Sequence, residues 1–164
     1  MGITQTTIFV LYPSEGRKIK VLKPTKYHSL EIAAPEADYL YVEPSQISDA
    51  GLGLYTAIPI FKDEIIGEYG GEIIGSAEAK KRANKQQNQY FINLPNGKIL
   101  DSINSLCFAR YANDACGKEN TQVKNNAKII LSDSGKVCLI ASKKIKAGEE
   151  ILCSYGKKYW LTHV

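Results

Sequence analysis

Two segments in the last third of the chain contain the features that decide its fold: RYANDAC at residues 110–116 and GEEILCSYG at residues 148–156. Both mix small, amide and aromatic residues, a mixture that an ordinary core strand does not need. A third segment, GLGLY at residues 51–55, lies far upstream. We interpret the three segments as parts of one active site that folding assembles from distant positions. The chain is therefore a candidate enzyme.

Length and composition are those of one globular domain. The chain has 164 residues, of which 44% are hydrophobic and 23% are charged, and its formal net charge is +4. A chain of this length can bury a substantial core. Because no run of eighteen apolar residues occurs, we expect no transmembrane helix and no membrane partner. The first residues contain neither a basic region nor a long apolar stretch, so we expect no signal peptide and an intracellular protein.

Cysteine spacing and net charge narrow the candidate partners. The four cysteines, Cys107, Cys116, Cys138 and Cys153, include no CxxC pair. A zinc site or a disulfide framework usually has closer spacing, so we expect reduced, partly buried thiols. The mild positive charge allows a partner of acidic character, but it does not require nucleic acid.

Hydrophobic patterning predicts a mainly β domain with a few short helices, that is, an α+β fold. One convincing helix covers residues 76–84, with Ser76 as its candidate cap and basic residues toward its end. Short β-branched runs between turn signals predict a hairpin within residues 6–22. The same pattern predicts strands at 39–43, 54–60, 64–69, 90–94, 98–103, 128–131, 136–141 and 151–155.

Three candidate site features each have a structural alternative. Gly51 and Gly53 flank a single residue, so the backbone there can approach a ligand closely, although a plain tight turn is the alternative. Asn113 offers an amide that can fix a polar ligand group, or it belongs to an amide-rich loop whose asparagines cap turns. Tyr155, taken alone, is an aromatic residue at the end of a strand with its hydroxyl in water.

Taken in order, these segments resemble the SET-domain protein lysine methyltransferases. The resemblance covers residues 41–160, and the matching stretches are 51–55, 67–74, 77–82, 90–94, 100–102, 109–116 and 145–160. It implies the SET-domain fold, in which several small sheets are combined with a C-terminal pseudoknot. The expected organisation is an N-terminal flanking segment at 1–38, a SET domain at 39–160 and a tail at 161–164.

The resemblance implies a cofactor, S-adenosylmethionine (SAM), on one face of the domain. Asn113 and the backbone at Asp114 would hold the adenosyl part. Trp160 resembles the C-terminal aromatic residue that packs over the adenine, with a hydrophobic anchor for the tail as its alternative. The methionine end of SAM would lie against the backbone of three residues, Gly51, Leu52 and Gly53.

The resemblance also implies a narrow channel that admits the substrate lysine from the other face. Tyr155 resembles the family's catalytic tyrosine, and Tyr90 resembles a wall of the channel. A lysine with a pKa near 10.4 is neutral in only about one molecule in 10³ at pH 7. A dry aromatic channel disfavours the ammonium form, and aromatic faces still accept a methylated cation.

Three departures from the family's pattern bear on this reading. Where most relatives have Asn-His-Ser-Cys, this chain has the sequence Asn-Asp-Ala-Cys at 113–116, so Asp114 replaces a histidine. Few residues follow Trp160, so the cysteine-rich zinc segment is missing and we expect no structural metal. Cys153 stands where relatives often carry Phe or Tyr, which leaves more room for methyl groups unless another tyrosine fills the space.

The function expected from the resemblance is SAM-dependent protein-lysine N-methyltransferase activity. A histone tail is the default substrate, and a non-histone protein is the second choice. The location would be the nucleus if the substrate is a histone. A minimal domain of this kind can also form a homodimer to complete its groove. The alternative is a catalytically silent SET-like module that binds a protein or nucleic acid, for which Asp114 and the missing zinc segment are the reasons.

Overall fold

A computed structural model of the protein describes residues 4–5, 25–26, 30–117 and 122–156, with side chains from residue 31 onward. The strands predicted within 6–22, and Trp160, lie outside these residues. The strands are β1 Thr4–Gln5, β2 Thr25–Lys26, β3 Leu30–Glu31, β4 Leu40–Pro44, β5 Leu52–Thr56, β6 Glu64–Glu68, β7 Glu72–Ile74, β8 Phe91–Asn93, β9 Ile99–Asp101, β10 Ala127–Leu131, β11 Val137–Ala141 and β12 Glu150–Ile151. The helices are α1 Glu36–Tyr39 and α2 Ser76–Ala83, with 3-10 helices at Phe108–Tyr111 and Ala115–Gly117.

The described strands form small sheets rather than one large sheet. Their orders are β10-β11-β6-β3, β12-β5-β4 and β7-β9-β8, with β1 and β2 as a separate pair. All pairs are antiparallel except β3 with β6. The expectation of a mainly β fold with a few short helices is confirmed. No helix in the described ranges is long and apolar enough to cross a membrane.

Two predicted hairpins are confirmed, and three details of the prediction are wrong. β8 pairs with β9, and β10 pairs with β11, as the turn signals indicated. The predicted strand at 54–60 ends at Thr56, because the Thr56 hydroxyl donates to the Ile58 carbonyl and turns the chain. Ser76 does not cap α2; it is the first helical residue, and Gly75 occupies the cap position. The final strand ends at Ile151 instead of continuing through Tyr155.

The main core lies between two of the sheets. Leu54 and Ile151 come from one sheet, and Ile66 and Leu139 come from the other; all four are fully buried. Burial of one such side chain is worth about 1.5–3 kcal/mol. Ala109 is also fully buried, and its small side chain lets the 3-10 helix at 108–111 pack directly on this core.

The chain after β12 lies between two earlier segments. Leu152 forms a parallel bridge with Asn113, and Cys153 forms one with Ala127. The Cys153 amide donates to the Asn113 carbonyl at 2.8 Å, and the Ala127 amide donates to the Leu152 carbonyl at 2.9 Å. These parallel contacts replace the strand that periodicity predicted at 151–155. They also give the arrangement expected of the C-terminal pseudoknot, a topology that no local pattern encodes.

Candidate functional site

Positions 51 and 53 require glycine for different structural reasons. Gly51 has a φ of 72°, a left-handed conformation that favours glycine, and open space surrounds it. Gly53 is buried, and a Cβ atom there would lie 2.2 Å from Oε1 of Glu150. Leu52, between them, is exposed and belongs to β5. The loop at 51–53 is therefore exposed at Gly51 and Leu52, while the Glu150 carboxylate packs against Gly53 on its buried side.

Glu150 is a buried carboxylate that sequence reasoning missed as a site residue. Its Oε1 accepts a hydrogen bond from the Ser45 hydroxyl at 2.6 Å, and its Oε2 accepts one from the Gln46 amide at 2.8 Å. The Tyr55 hydroxyl donates to the Pro44 carbonyl at 2.8 Å and lies 3.4 Å from Oε2. Burial and the Glu150 charge together raise the pKa of Tyr55. The sequence feature that could have identified Glu150 is its position as an acidic residue directly before the apolar run Ile151-Leu152.

Asn113 links the loop at 51–53 to the end of the chain. Its side-chain Nδ2 donates to the Leu52 carbonyl at 2.9 Å and lies 3.5 Å from Oε1 of Glu150. Its own carbonyl accepts the Cys153 amide. The structure therefore brings together the two segments that were expected to bind one cofactor. Among the described residues, none donates a hydrogen bond to Oδ1 of Asn113.

The Asp114 side chain is part of the framework of the site. Its Oδ1 accepts hydrogen bonds from the Cys116 amide and from Nδ2 of Asn125, each at 2.8 Å. Its Oδ2 accepts the Tyr155 amide at 2.7 Å. The residue is only 4% exposed. The carboxylate thus holds the backbone of Tyr155 in position.

Asn126 shows that the amide-rich loop is more than a set of turn caps. Its Nδ2 donates to the Glu150 carbonyl at 2.8 Å, and its Oδ1 accepts the Leu152 amide at 2.9 Å. Both bonds are buried. One amide side chain therefore pairs with the backbone on both sides of Ile151, as a neighbouring strand would.

Tyr155 and Tyr90, the two predicted catalytic residues, line one small cavity. The space inside is about 50 Å³, enough for the end of a side chain and little more. The Tyr155 hydroxyl donates to the Ala112 carbonyl at 2.9 Å, so it does not lie free in water as the alternative reading predicted. The walls of the cavity are aromatic, apolar or polar side chains: Tyr69, Gln89, Tyr90, Phe91, Ile92, Ser102, Arg110, Ala112, Ile129 and Tyr155.

Tyr69 is a cavity residue that sequence reasoning did not single out. Its hydroxyl lies 3.9 Å from Sγ of Cys153, and burial raises its pKa well above the ordinary value. Cys153 is fully buried and does not line the cavity. Burial raises the pKa of its thiol to about 12. A second tyrosine therefore lies between the small thiol and the cavity.

The described part of the chain has no group of three or more His, Cys, Asp or Glu residues that could hold a metal ion. The four cysteines are free; Cys138 and Cys153 are buried, and Cys116 is exposed. Burial is the main cause that raises the pKa of the Cys138 thiol, to about 11.

Comparison with known proteins identifies a matching family. Residues 51–156, more than half of the chain, match the SET domain. The histone-lysine N-methyltransferase mes-2 of Caenorhabditis elegans is 30% identical over 119 residues, which is 71% of this chain and 15% of that protein. The histone-lysine N-methyltransferase trr of Drosophila melanogaster is 32% identical over 128 residues, 73% of this chain and 5% of that protein.

A human relative is identical to this chain to a similar extent. The H3 lysine-36 specific histone-lysine N-methyltransferase of Homo sapiens is 31% identical over 123 residues, which is 72% of this chain and 4% of that protein. The chain thus spans a small part of the length of each relative. The matched region contains the glycine loop, Asn113 and Tyr155, which the structure brings into one site. The chain belongs to the SET-domain family.

Proposed function

We propose that this chain is a SAM-dependent protein-lysine N-methyltransferase that acts on a histone tail. The observation that carries the proposal is the link between two half-sites. Asn113, on the side of the glycine loop, and Tyr155, in the aromatic cavity, are joined through the segment 152–155. This link would set a cofactor held beside Asn113 close to a lysine held beside Tyr155.

The residues on the cofactor side fit the group. The backbone at Gly51 and Leu52 is exposed and open, as the methionine end of SAM requires. Oδ1 of Asn113 is an acceptor that suits an exocyclic amino group, and the Asp114 backbone lies beside it. SAM supplies a methyl group on a positively charged sulfur. Trp160, as a cover for the adenine, stays a prediction.

The aromatic cavity fits the end of a lysine side chain. The neutral amine attacks the methyl carbon; a C–N bond forms while the C–S bond breaks and its electron pair stays on sulfur. Positioning supplies much of the rate in such an in-line displacement. Tyr155 orients the amine, and the rings of Tyr69 and Tyr90 surround it. The methylated product leaves as a cation or loses a proton to water.

The choice of a histone follows from the names of the relatives, which are histone-lysine N-methyltransferases. A histone tail is lysine-rich and can lie extended against a sheet edge as an added strand. With such a substrate the protein would act in the nucleus. A non-histone substrate remains the second candidate, and a homodimer that completes the groove stays a prediction.

The test is incubation with methyl-labelled SAM and a panel of histones and tail peptides. We expect wild-type protein to label at least one peptide and Tyr155→Phe to lower kcat by about a hundredfold, as loss of one positioned polar group does. Tyr41→Phe, a half-buried tyrosine of β4, is the matched control. SAM binding without transfer to any peptide would support the silent module. Absence of SAM binding would contradict the enzyme reading.

A further inference from the structure

The aromatic cavity has an unexpected electrostatic character for a site that receives a lysine. Arg110 is its one charged lining residue, and no carboxylate lines it among the described residues. A lysine side chain is a cation in water at neutral pH. A binding site built for that cation would be expected to contain an acidic group or to avoid a second cation. This cavity instead contains a second cation and, among the described residues, no acidic group.

Arg110 is held in place from several directions. Its Nη1 donates to the Ile103 carbonyl at 3.0 Å and to the Ser105 carbonyl at 2.6 Å. The guanidinium carbon lies 4.4 Å from the centre of the Tyr90 ring and 5.4 Å from that of Tyr111. Its Nε is buried without a hydrogen-bond partner in the described structure. The two carbonyl hydrogen bonds and the stacking on Tyr90 together fix its position, while Nε forgoes a hydrogen bond.

The other ionisable groups around Arg110 do not neutralise its charge. Tyr69, Tyr90 and Tyr155 line the same cavity, and Cys107 begins the turn before the 3-10 helix at 108–111. Tyr111 lies against the guanidinium as well. None of these groups is a carboxylate. The carboxylates closest to the cavity residues along the chain already have partners.

Three carboxylates lie within two positions of a cavity residue along the chain, namely Glu68, Asp101 and Asp114. Glu68 pairs with Lys136 at 2.8 Å and does not line the cavity. Asp101 pairs with Arg82 at 2.7 Å and does not line the cavity. Asp114 accepts amide hydrogen bonds behind Tyr155 and does not line the cavity either. The positive charge of Arg110 therefore acts on the inside of the cavity with little opposition.

We propose that Arg110 is a positioning residue that keeps the substrate lysine neutral in the channel and fixes the Tyr90 ring against it. This inference rests on the proposed function. A fixed like charge within about 4–6 Å disfavours a second cation, and burial acts in the same direction. The ammonium proton passes to water as the side chain enters, and the amine keeps its lone pair for attack on the methyl carbon.

The first test is the pH dependence of kcat at saturating peptide, because kcat reports the ionisation of the bound complex. Arg110→Met removes the charge and keeps the length; Arg110→Lys keeps the charge. We expect Arg110→Met to raise the pH at which kcat is half-maximal by about one unit and to lower kcat about tenfold near neutral pH, with recovery in alkaline buffer. Arg110→Lys should retain the wild-type midpoint at a reduced maximum.

Lys80→Met is the matched control, because Lys80 is an exposed cation on α2. It should leave the kcat profile unchanged. A uniformly lower kcat in Arg110→Met with the wild-type midpoint would overturn the proposal and leave Arg110 only the structural task of holding residues 103–105. Thermal unfolding of each variant identifies one that fails to fold, and Arg110→Gln then replaces Arg110→Met.

A second test needs no turnover. n-Butylamine matches the end of a lysine side chain, and its binding is followed by NMR shifts of the cavity tyrosines at several pH values. In the range below the amine pKa, wild-type protein should bind it about tenfold more tightly for each unit by which the pH is raised, because the neutral form binds. Arg110→Met should reduce that dependence. An equal dependence in both would overturn the proposal, even if no peptide is methylated and the proposed function itself has failed.

Discussion

At the residue scale, single polar groups define the site. Glu150 accepts hydrogen bonds from Ser45 and from the Gln46 amide, and it occupies the space beside Gly53. Asp114 fixes the Tyr155 backbone, while Asn113 joins Leu52 to the closing segment. None of these roles requires contact with a ligand, yet each determines where a ligand group can lie.

Glu150→Gln should weaken both folding and cofactor binding. The amide keeps the shape but cannot accept hydrogen bonds at both positions, so a buried donor loses its partner at about 1–3 kcal/mol. Urea unfolding and SAM binding by calorimetry measure the two effects. Glu149→Gln is the control, since Glu149 is less buried and, among the described residues, accepts a hydrogen bond from the Lys146 amide. Unchanged SAM affinity in Glu150→Gln would show that the loop at 51–53 does not depend on this carboxylate.

Tyr69→Phe should raise the number of methyl groups transferred. Removal of the hydroxyl that lies 3.9 Å from the Cys153 sulfur enlarges the inner end of the cavity by about one small group. Mass spectrometry of the methylated peptide measures the shares of mono-, di- and trimethyl product. Tyr39→Phe is the control, because its buried hydroxyl bonds to the Ile66 carbonyl away from the cavity. An identical product distribution would mean that Tyr69 does not limit methylation.

At the element scale, ion pairs of one arginine link α2 to the sheet β7-β9-β8. Arg82 contacts Glu78 on its own helix, Glu72 on β7 and Asp101 on β9. Helix α2 has few buried side chains, of which Ala79 is one. Ion pairs therefore replace much of the apolar packing that would normally hold such a helix against a sheet. Residues of β8, and the residue that follows β9, line the cavity.

Arg82→Met should lower the free energy of unfolding clearly, because it leaves the buried Asp101 carboxylate without its partner. Lys81→Met is the control and should change it little, since its 3.7 Å pair with Glu78 is exposed. Denaturant unfolding of the two variants gives the comparison. Equal stability of both would show that the Arg82 network contributes nothing to the fold.

At the scale of the whole molecule, the core depends on uncharged buried groups. Burial raises the pKa of the Cys153 thiol from 9.0 to about 12. A group whose pKa is raised in the folded state stabilises that state fully below its unfolded pKa. The contribution is lost as pH rises, so stability should fall between about pH 9 and pH 12.

Urea unfolding at a series of alkaline pH values measures this loss. Cys153→Ala should show a shallower decrease in stability above pH 9, by up to one proton in the slope. Cys116→Ala, at an exposed position, should change the slope far less. Parallel slopes in wild type and Cys153→Ala would show that the thiol does not titrate in this range.

Much of the fold was predictable because it depends on local patterns. The β8-β9 and β10-β11 hairpins follow from alternating runs around turn residues, and α2 follows from its composition. The end of the chain was not predictable in this way. Periodicity predicted a strand through Tyr155, but Leu152 and Cys153 instead pair in parallel with two separate segments. Such partners are set by topology, which local propensity does not report.

By itself the sequence determined the family, the order of the motifs and the residue types at the site, because these are properties of neighbouring positions. The tertiary structure alone decided that Glu150 lies under Gly53, that Tyr69 fills the space beside Cys153 and that Arg110 covers Tyr90. The physical reason is distance along the chain. Glu150 and Ser45 are 105 positions apart. Contacts of this range form only after the sheets have packed, so no pattern within a segment encodes them.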